Sequence, residues 1–100
     1  MNLLTKELIK EIPKLYETEN IEDKICHVKL FNPYGVGTWY IVEYDEETKE
    51  AFGYVEIGSY PELTYFSLDE LEAYRHSRFG LGIERDLHFK PKSWSEIEGE

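Results

Sequence analysis

Apolar residues recur at helical spacing at the start of the chain and then give way to short alternating runs, and this change of period divides the sequence into its elements. Leu4, Leu8, Ile12 and Leu15 are separated by Lys6, Glu7, Lys10, Glu11 and Lys14, which predicts an amphipathic helix from about Thr5. Thr5 is placed to cap it and Leu4 with Ile9 to staple it, while Pro13, with no N–H to donate, should kink or break it near residue 12. Glu17 to Lys24 reads as a polar connector. Ile25 to Phe31, Thr38 to Tyr44, Ala51 to Ile57 and Leu63 to Phe66 are rich in aromatic and β-branched residues and read as four strands. They are separated by an Asn-Pro-Tyr-Gly-Val-Gly loop at 32–37, a polar turn at 45–50 and Gly58-Ser59-Tyr60-Pro61.

Ser67-Leu68-Asp69-Glu70 fits a capping box, with Phe66 and Leu71 as its staple, so a second helix should start there. It is expected to run to about His76 or Ser77 and to stop before Gly80 and Gly82. Ile83 to Phe89 reads as extended chain, an edge strand ended by Pro91, and Ser93 with Glu96 caps a short terminal turn that docks Trp94 and Ile97. The order predicts an α+β fold: an antiparallel β-meander of four to five strands with an N-terminal helix and a second helix after strand four, the helices on one face and residues 1–100 forming a single domain.

The central hairpin is aromatic on both sides. Trp39 and Ile41 alternate with Tyr40, Val42 and Tyr44, and Phe52 and Tyr54 alternate with Gly53, Val55 and Ile57. One face meets the helices; the other is either covered by the late segment or left as a binding patch around Trp39, Tyr40, Tyr44 and Tyr54.

Charge adds a second pattern. The net charge is −10, and residues 43–72 hold ten acids against the single base Lys49. The remaining seventy residues are nearly balanced, with eleven acids and ten bases, and from Arg75 to Lys92 bases dominate. Glu43, Asp45, Glu46, Glu47, Glu50, Asp69 and Glu70 are therefore the candidate acidic binding surface of an electrically lopsided molecule. With 41% apolar residues the chain can pack a core without staples, and Cys26, the only cysteine, cannot form an intramolecular disulfide. No stretch approaches the ~20 apolar residues of a membrane span, and no signal-like segment opens the chain, so a cytoplasmic location without membrane attachment is expected.

Chemistry-bearing motifs are sparse. Phosphate-loop, dinucleotide and zinc signatures are absent, which implies no cofactor and no metal. Cys26 and His27 are neighbours on a strand and point to opposite faces, so a catalytic thiol would need His76 or His88 brought in by the fold. Glu84, Asp86 and His88 alternate with apolar positions and would line one strand face, an arrangement far commoner as a solvated surface than as a metal row. Arg85 falls on the apolar side of that alternation. It is expected to form an internal ion pair with Glu43 or Asp69, ahead of lining a pocket with His88. No catalytic residue is assigned.

Several segments together carry a resemblance: Leu4-Thr5-Lys6, Ile12 to Tyr16, Trp39 to Asp45, Phe52-Gly53, Tyr65 to Leu71 and Ile83 to Pro91. In these, and in their order along nearly the whole chain, the sequence resembles an uncharacterised family, a domain of unknown function whose short acidic members occur on plasmids, integrative elements and phages. The resemblance implies a setting among accessory genes of mobile elements, near replication, conjugation or anti-restriction genes, and transfers no catalytic residue.

The favoured reading is a non-catalytic accessory protein that binds a protein partner through its acidic surface. That partner would be a basic nucleic-acid enzyme of a host restriction or defence system, met by carboxylates that mimic a phosphate backbone. The alternatives are an interaction module or homodimer using the aromatic face or the edge strand, and a small enzyme or ligand-binding domain around Arg85 and His88. Direct nucleic-acid binding is not expected, because the net charge repels phosphate. A mobility-shift assay at physiological salt should therefore show no complex with random duplex DNA at low-micromolar protein, and a shift there would overturn the charge argument.

Overall fold

The computed structural model describes residues 2–75 and 80–100. Along them run α1 (Lys6–Glu11), β1 (Ile25–Cys26), β2 (Val28–Phe31), β3 (Thr38–Asp45), β4 (Glu50–Glu56), β5 (Glu62–Ser67), α2 (Leu68–Ala73), β6 (Glu84–Arg85), β7 (Lys92–Ser93) and α3 (Trp94–Glu98). Five strands form one antiparallel sheet in the order β5-β4-β3-β2-β6, and β1 pairs with β7 in a separate two-stranded ladder. The fold is the expected α+β meander.

All three helices start where local chemistry placed them. The side-chain oxygens of Thr5, Ser67 and Ser93 accept from the backbone N–H groups of Leu8, Glu70 and Glu96, and Ser93 with Glu96 closes a full capping box. Pro13 breaks α1 rather than kinking it. The Ile12 N–H is the last to bond back into the helix, and the Pro13 carbonyl instead accepts from Tyr44 N at 2.9 Å, docking the chain on the end of β3. In α2 the last helical residue is Ala73, capped at Tyr74; His76 and Ser77, where that helix was expected to end, lie outside the described residues.

Two apolar clusters sandwich the sheet. On one face Trp39, Ile41, Tyr44, Leu30 and Val28 pack with Leu4, Leu8, Ile9 and Ile12 from the N-terminal segment and Leu68 and Leu71 of α2. On the other, Cys26, Tyr40, Val42 and Tyr54 pack with Phe89, Trp94 and Ile97. Helices thus occupy both faces, α1 and α2 on one and α3 on the other, because the C-terminal segment crosses the sheet to cover the second apolar surface. Two contacts lock it there: Trp94 N donates to Lys24 O at 2.9 Å, and Ser95 donates to the Asp23 carboxylate from its backbone N (3.0 Å) and its hydroxyl (2.6 Å). Those Ser95 hydrogen bonds, side chain first, hold the Asp23 carboxyl below its usual range.

One irregularity in β3 decides which side chain faces which cluster. Ile41 pairs with Gly53 but Glu43 pairs with Phe52, so the register slips by one residue at Val42. Simple alternation groups Tyr44 with Tyr40 and Val42; the bulge sends Tyr44 to the opposite face, beside Ala51 and the α1 cluster, and turns Glu43 to the Tyr40 side. Gly53 makes this possible. A Cβ there would lie 1.8 Å from the carbonyl oxygen of Tyr40 and 3.1 Å from Val42 N, so the strands can approach only where β4 lacks a side chain. Gly53→Ala should lower stability by at least about 3 kcal/mol, because backbone rather than a flexible side chain must move. The denaturant midpoint measures this, and an unchanged midpoint would place the origin of the bulge elsewhere.

Candidate functional site

The acids of the middle segment converge on one end of the sheet. Asp45, Glu46, Glu47 and Glu50 lie in and around the β3–β4 turn, whose last residue, Lys49, has a left-handed backbone (φ 60°). The Lys49 carbonyl accepts from Leu68 N at 2.9 Å, fixing the start of α2 against the turn. Its ammonium group reaches Asp69 at 3.3 Å and Glu72 at 3.5 Å. These two partners, led by the Asp69 hydrogen bond, raise the Lys49 pKa, so the group stays charged through the neutral range. The one base of the 43–72 segment is thereby consumed in joining two acidic elements. Glu46, Glu47, Glu50, Asp69 and Glu70 remain exposed, with Asp45 partly so, as a continuous acidic end.

Between this end and α1 lies an open cleft of about 830 Å³ with Ile12 and Tyr44 among its lining residues. Lys10 and Lys14 line it along with Glu11, Glu17, Asp45, Glu46 and Glu47, so the cleft is mixed in sign and the acidic character belongs to the turn and α2.

Glu43 does not belong to that surface. Its residue is only 2% exposed, and its carboxylate accepts from Tyr16 N (2.8 Å), Thr18 N (2.9 Å) and the Thr18 hydroxyl. The bulge turned it toward the connector, and a carboxyl group so enclosed must be satisfied by donors. Lys24, also buried, completes the arrangement from the opposite sign: its ammonium group donates to the carbonyl oxygens of Thr18 (2.6 Å) and Ile21. Thr18 therefore bridges an internal anion and an internal cation, and the polar connector is a fixed element. Tyr16, Thr18 and Lys24 gave no signal of this as a sequence. Glu43 did, being the single acid inside the run Thr38–Tyr44, where an unsolvated carboxylate would need partners.

The connector carries strain. Tyr16 has a positive φ of 74°, a conformation that costs a bulky residue on the order of 1–3 kcal/mol and persists only where other contacts hold it. The bond from its N–H to Glu43 is such a contact.

The aromatic binding face is also corrected. Trp39, Tyr40, Tyr44 and Tyr54 are each under 10% exposed. Trp39 and Tyr44 lie beneath α1, while Trp94 stacks on Tyr54 (4.0 Å between centroids, 3° between planes) and meets Tyr40 edge-on at 5.4 Å. Burial pushes the Tyr54 hydroxyl up to about 12.

Arg85 finds neither Glu43 nor Asp69. It sits opposite Leu30 on β2, and its guanidinium donates to the Leu3 carbonyl oxygen, tying down the N-terminal segment. Asp69 is taken by Lys49, and Glu43 by the connector on the far side of the sheet. Arg85 and the exposed His88 line one open cleft of about 620 Å³, with Lys29, Glu84 and Asp86. The carboxylate-imidazole row does not form: β6 is two residues long, and Asp86 turns back so that its Oδ1 accepts from His88 N at 2.9 Å. Among the described residues no group of three or more His, Cys, Asp or Glu side chains is placed to hold a metal ion. Cys26 is fully buried, and burial pushes its thiol up to about 12, which leaves it un-ionised and unreactive at neutral pH. Burial lowers the His27 pKa. His76, the other imidazole considered for that thiol, lies outside the described residues. No helix among them is long and apolar enough to cross a membrane.

Comparison with protein families gives one decisive match. The model of the family described as "Protein of unknown function (DUF2958)" matches residues 3–96. The chain belongs to that family. No curated protein and no solved structure matches. The DUF2958 match spans the acidic turn, α2, the connector and the start of α3 with its cap.

Stability and surface charge should separate cleanly at these acids. Glu43→Ala strands the N–H groups of Tyr16 and Thr18 and should cost at least about 3 kcal/mol. The combined variant Asp45→Asn, Glu46→Gln, Glu47→Gln, Glu50→Gln changes exposed groups, each worth less than ~0.5 kcal/mol, and should melt close to the parent. Equal losses in the two variants on thermal unfolding would contradict the division between an internal and an external acid.

Proposed function

We propose that the protein is a non-catalytic accessory protein that captures a basic protein partner through its acidic end. The observation that carries this reading is the junction at Lys49. The hairpin turn and the start of α2 are held side by side, and the base that joins them is spent on Asp69 and Glu72, so Glu46, Glu47, Glu50 and Glu70 stay exposed with no ion pair among the described residues. Exposed carboxylates carried on a turn and a helix start that are fixed to each other suit the cationic groove of a nucleic-acid enzyme, where they take the place of backbone phosphates. The family resemblance, with its mobile-element setting, makes a restriction or defence enzyme of the host the partner of choice.

The interaction-module alternative loses its aromatic surface, since the four aromatic residues assigned to it are packed inside. Capture from host lysate tests the acidic reading directly. A basic nucleic-acid enzyme should be retained at about 50 mM salt and released by about 500 mM, where the screening length falls to a few ångströms. Its association with the four-acid variant should slow by about tenfold and lose most of its salt dependence. A folded variant that binds at the parental rate would sink the proposal.

A further inference from the structure

The strained connector presents an aromatic platform that lies apart from both clusters of buried core residues. Tyr16 is 64% exposed, and its ring meets Tyr65 of β5 at 6.4 Å; Tyr65, 43% exposed, packs on Phe52 at 4.7 Å. Leu63, 42% exposed, lies on the same face of β5, two residues from Tyr65. A fold that stacks Trp94 over Tyr54 to hide one aromatic patch leaves this adjacent one open. It also commits a buried carboxylate, Glu43, to holding Tyr16 in a conformation that a tyrosine disfavours.

Two features say what fits there. The platform borders the outer edge of β5, which has no strand partner among the described residues, so its N–H and C=O groups can accept another strand. Its electrostatic surroundings are negative. Glu50, on the face of Phe52, and the Glu43 carboxylate both act on Tyr65 and add to the desolvation and the Tyr16 hydrogen bond that raise its pKa. A second copy of the chain would bring the same acids against themselves, each copy carrying a net charge of −10.

We infer that β5 docks an extended, arginine-bearing segment of the partner protein. The segment adds as a strand along Glu62–Ser67, with a guanidinium lying against the Tyr16 and Tyr65 rings and directed toward Glu50. Alternate side chains of an added strand project to one face, about 5 Å from their neighbours on β5, which brings an arginine beside Tyr65 within cation-π reach. This rests on the reading of the protein as a binder of a basic partner, and it specifies where and in what form that partner is held.

The test uses the full chain and a blocked peptide of about ten residues alternating arginine with threonine, with a glutamate-threonine peptide as control. Titration followed by amide resonances should move Glu62–Ser67 and the Tyr16 and Tyr65 rings with the arginine peptide only. Tyr16→Gly removes the ring and relieves the left-handed backbone, so it should melt at or above the parental temperature yet bind about tenfold more weakly. Tyr65→Thr should weaken binding similarly. Binding that leaves the β5 amides unmoved, or that both tyrosine variants retain in full, would overturn the docking site while leaving the acidic reading to its own experiment, in which the tyrosines are intact. Absence of binding by the parent chain would overturn it too. A sedimentation dimer abolished by Tyr16→Gly would assign the surface to a second copy and overturn the basic segment.

Discussion

The enclosed carboxylate of Glu43 is the constraint on which most of the molecule depends. It stands in the central strand, where water is excluded, and an anion there is tolerated only if donors are brought to it. The Leu15–Asp23 stretch brings them. Its backbone curls over the end of the sheet so that Tyr16 and Thr18 aim their N–H groups at the carboxylate, and Lys24 secures the same curl through its carbonyls. A segment with the composition of a loose linker becomes a fixed strap. The strap delivers Asp23 to Ser95, so the C-terminal helix that closes the second apolar face is anchored through the same element.

That dependence begins with backbone geometry. The bulge at Val42 is accommodated by glycine at residue 53 of β4, and it gives Glu43 and Tyr44 the opposite destinations from those simple alternation assigns. Tyr44 completes the cluster beneath α1, and Glu43 is turned toward the strap. Without the bulge the carboxyl group would point into the apolar contact between sheet and N-terminal segment.

Acids therefore do two different jobs in this chain. Glu43 is internal, hydrogen-bonded and structural. Glu46, Glu47, Glu50 and Glu70 are external, and the junction of Lys49 with Asp69 and Glu72 keeps them together without cancelling them. Elsewhere the signs are mixed: Lys29, Lys90 and Lys92 line a cleft beside β6 together with Asp86, Glu96 and Glu100, and Lys10 and Lys14 line the cleft between α1 and the acidic turn. A partner approaching this molecule meets a field with direction, which favours one orientation of encounter.

The sequence by itself determined what depends on neighbours three or four residues away. The caps at Thr5, Ser67 and Ser93, the break at Pro13, the hairpin between β3 and β4 and the meander order follow from local hydrogen-bonding and the alternation of apolar side chains. The acidic middle was legible as well, since composition survives folding. Tertiary structure alone decided which acids are surface and which core, which face Tyr44 serves, whether the aromatic hairpin is open or covered, and what Arg85 holds. Each of these turns on a partner distant in sequence: Gly53 for the bulge, Thr18 for Glu43, Trp94 for Tyr54, Leu3 for Arg85. A pattern of period two or 3.6 specifies directions relative to one strand or helix, and a one-residue slip in register reverses them. Only the paired strand, brought close in space, fixes where that slip occurs.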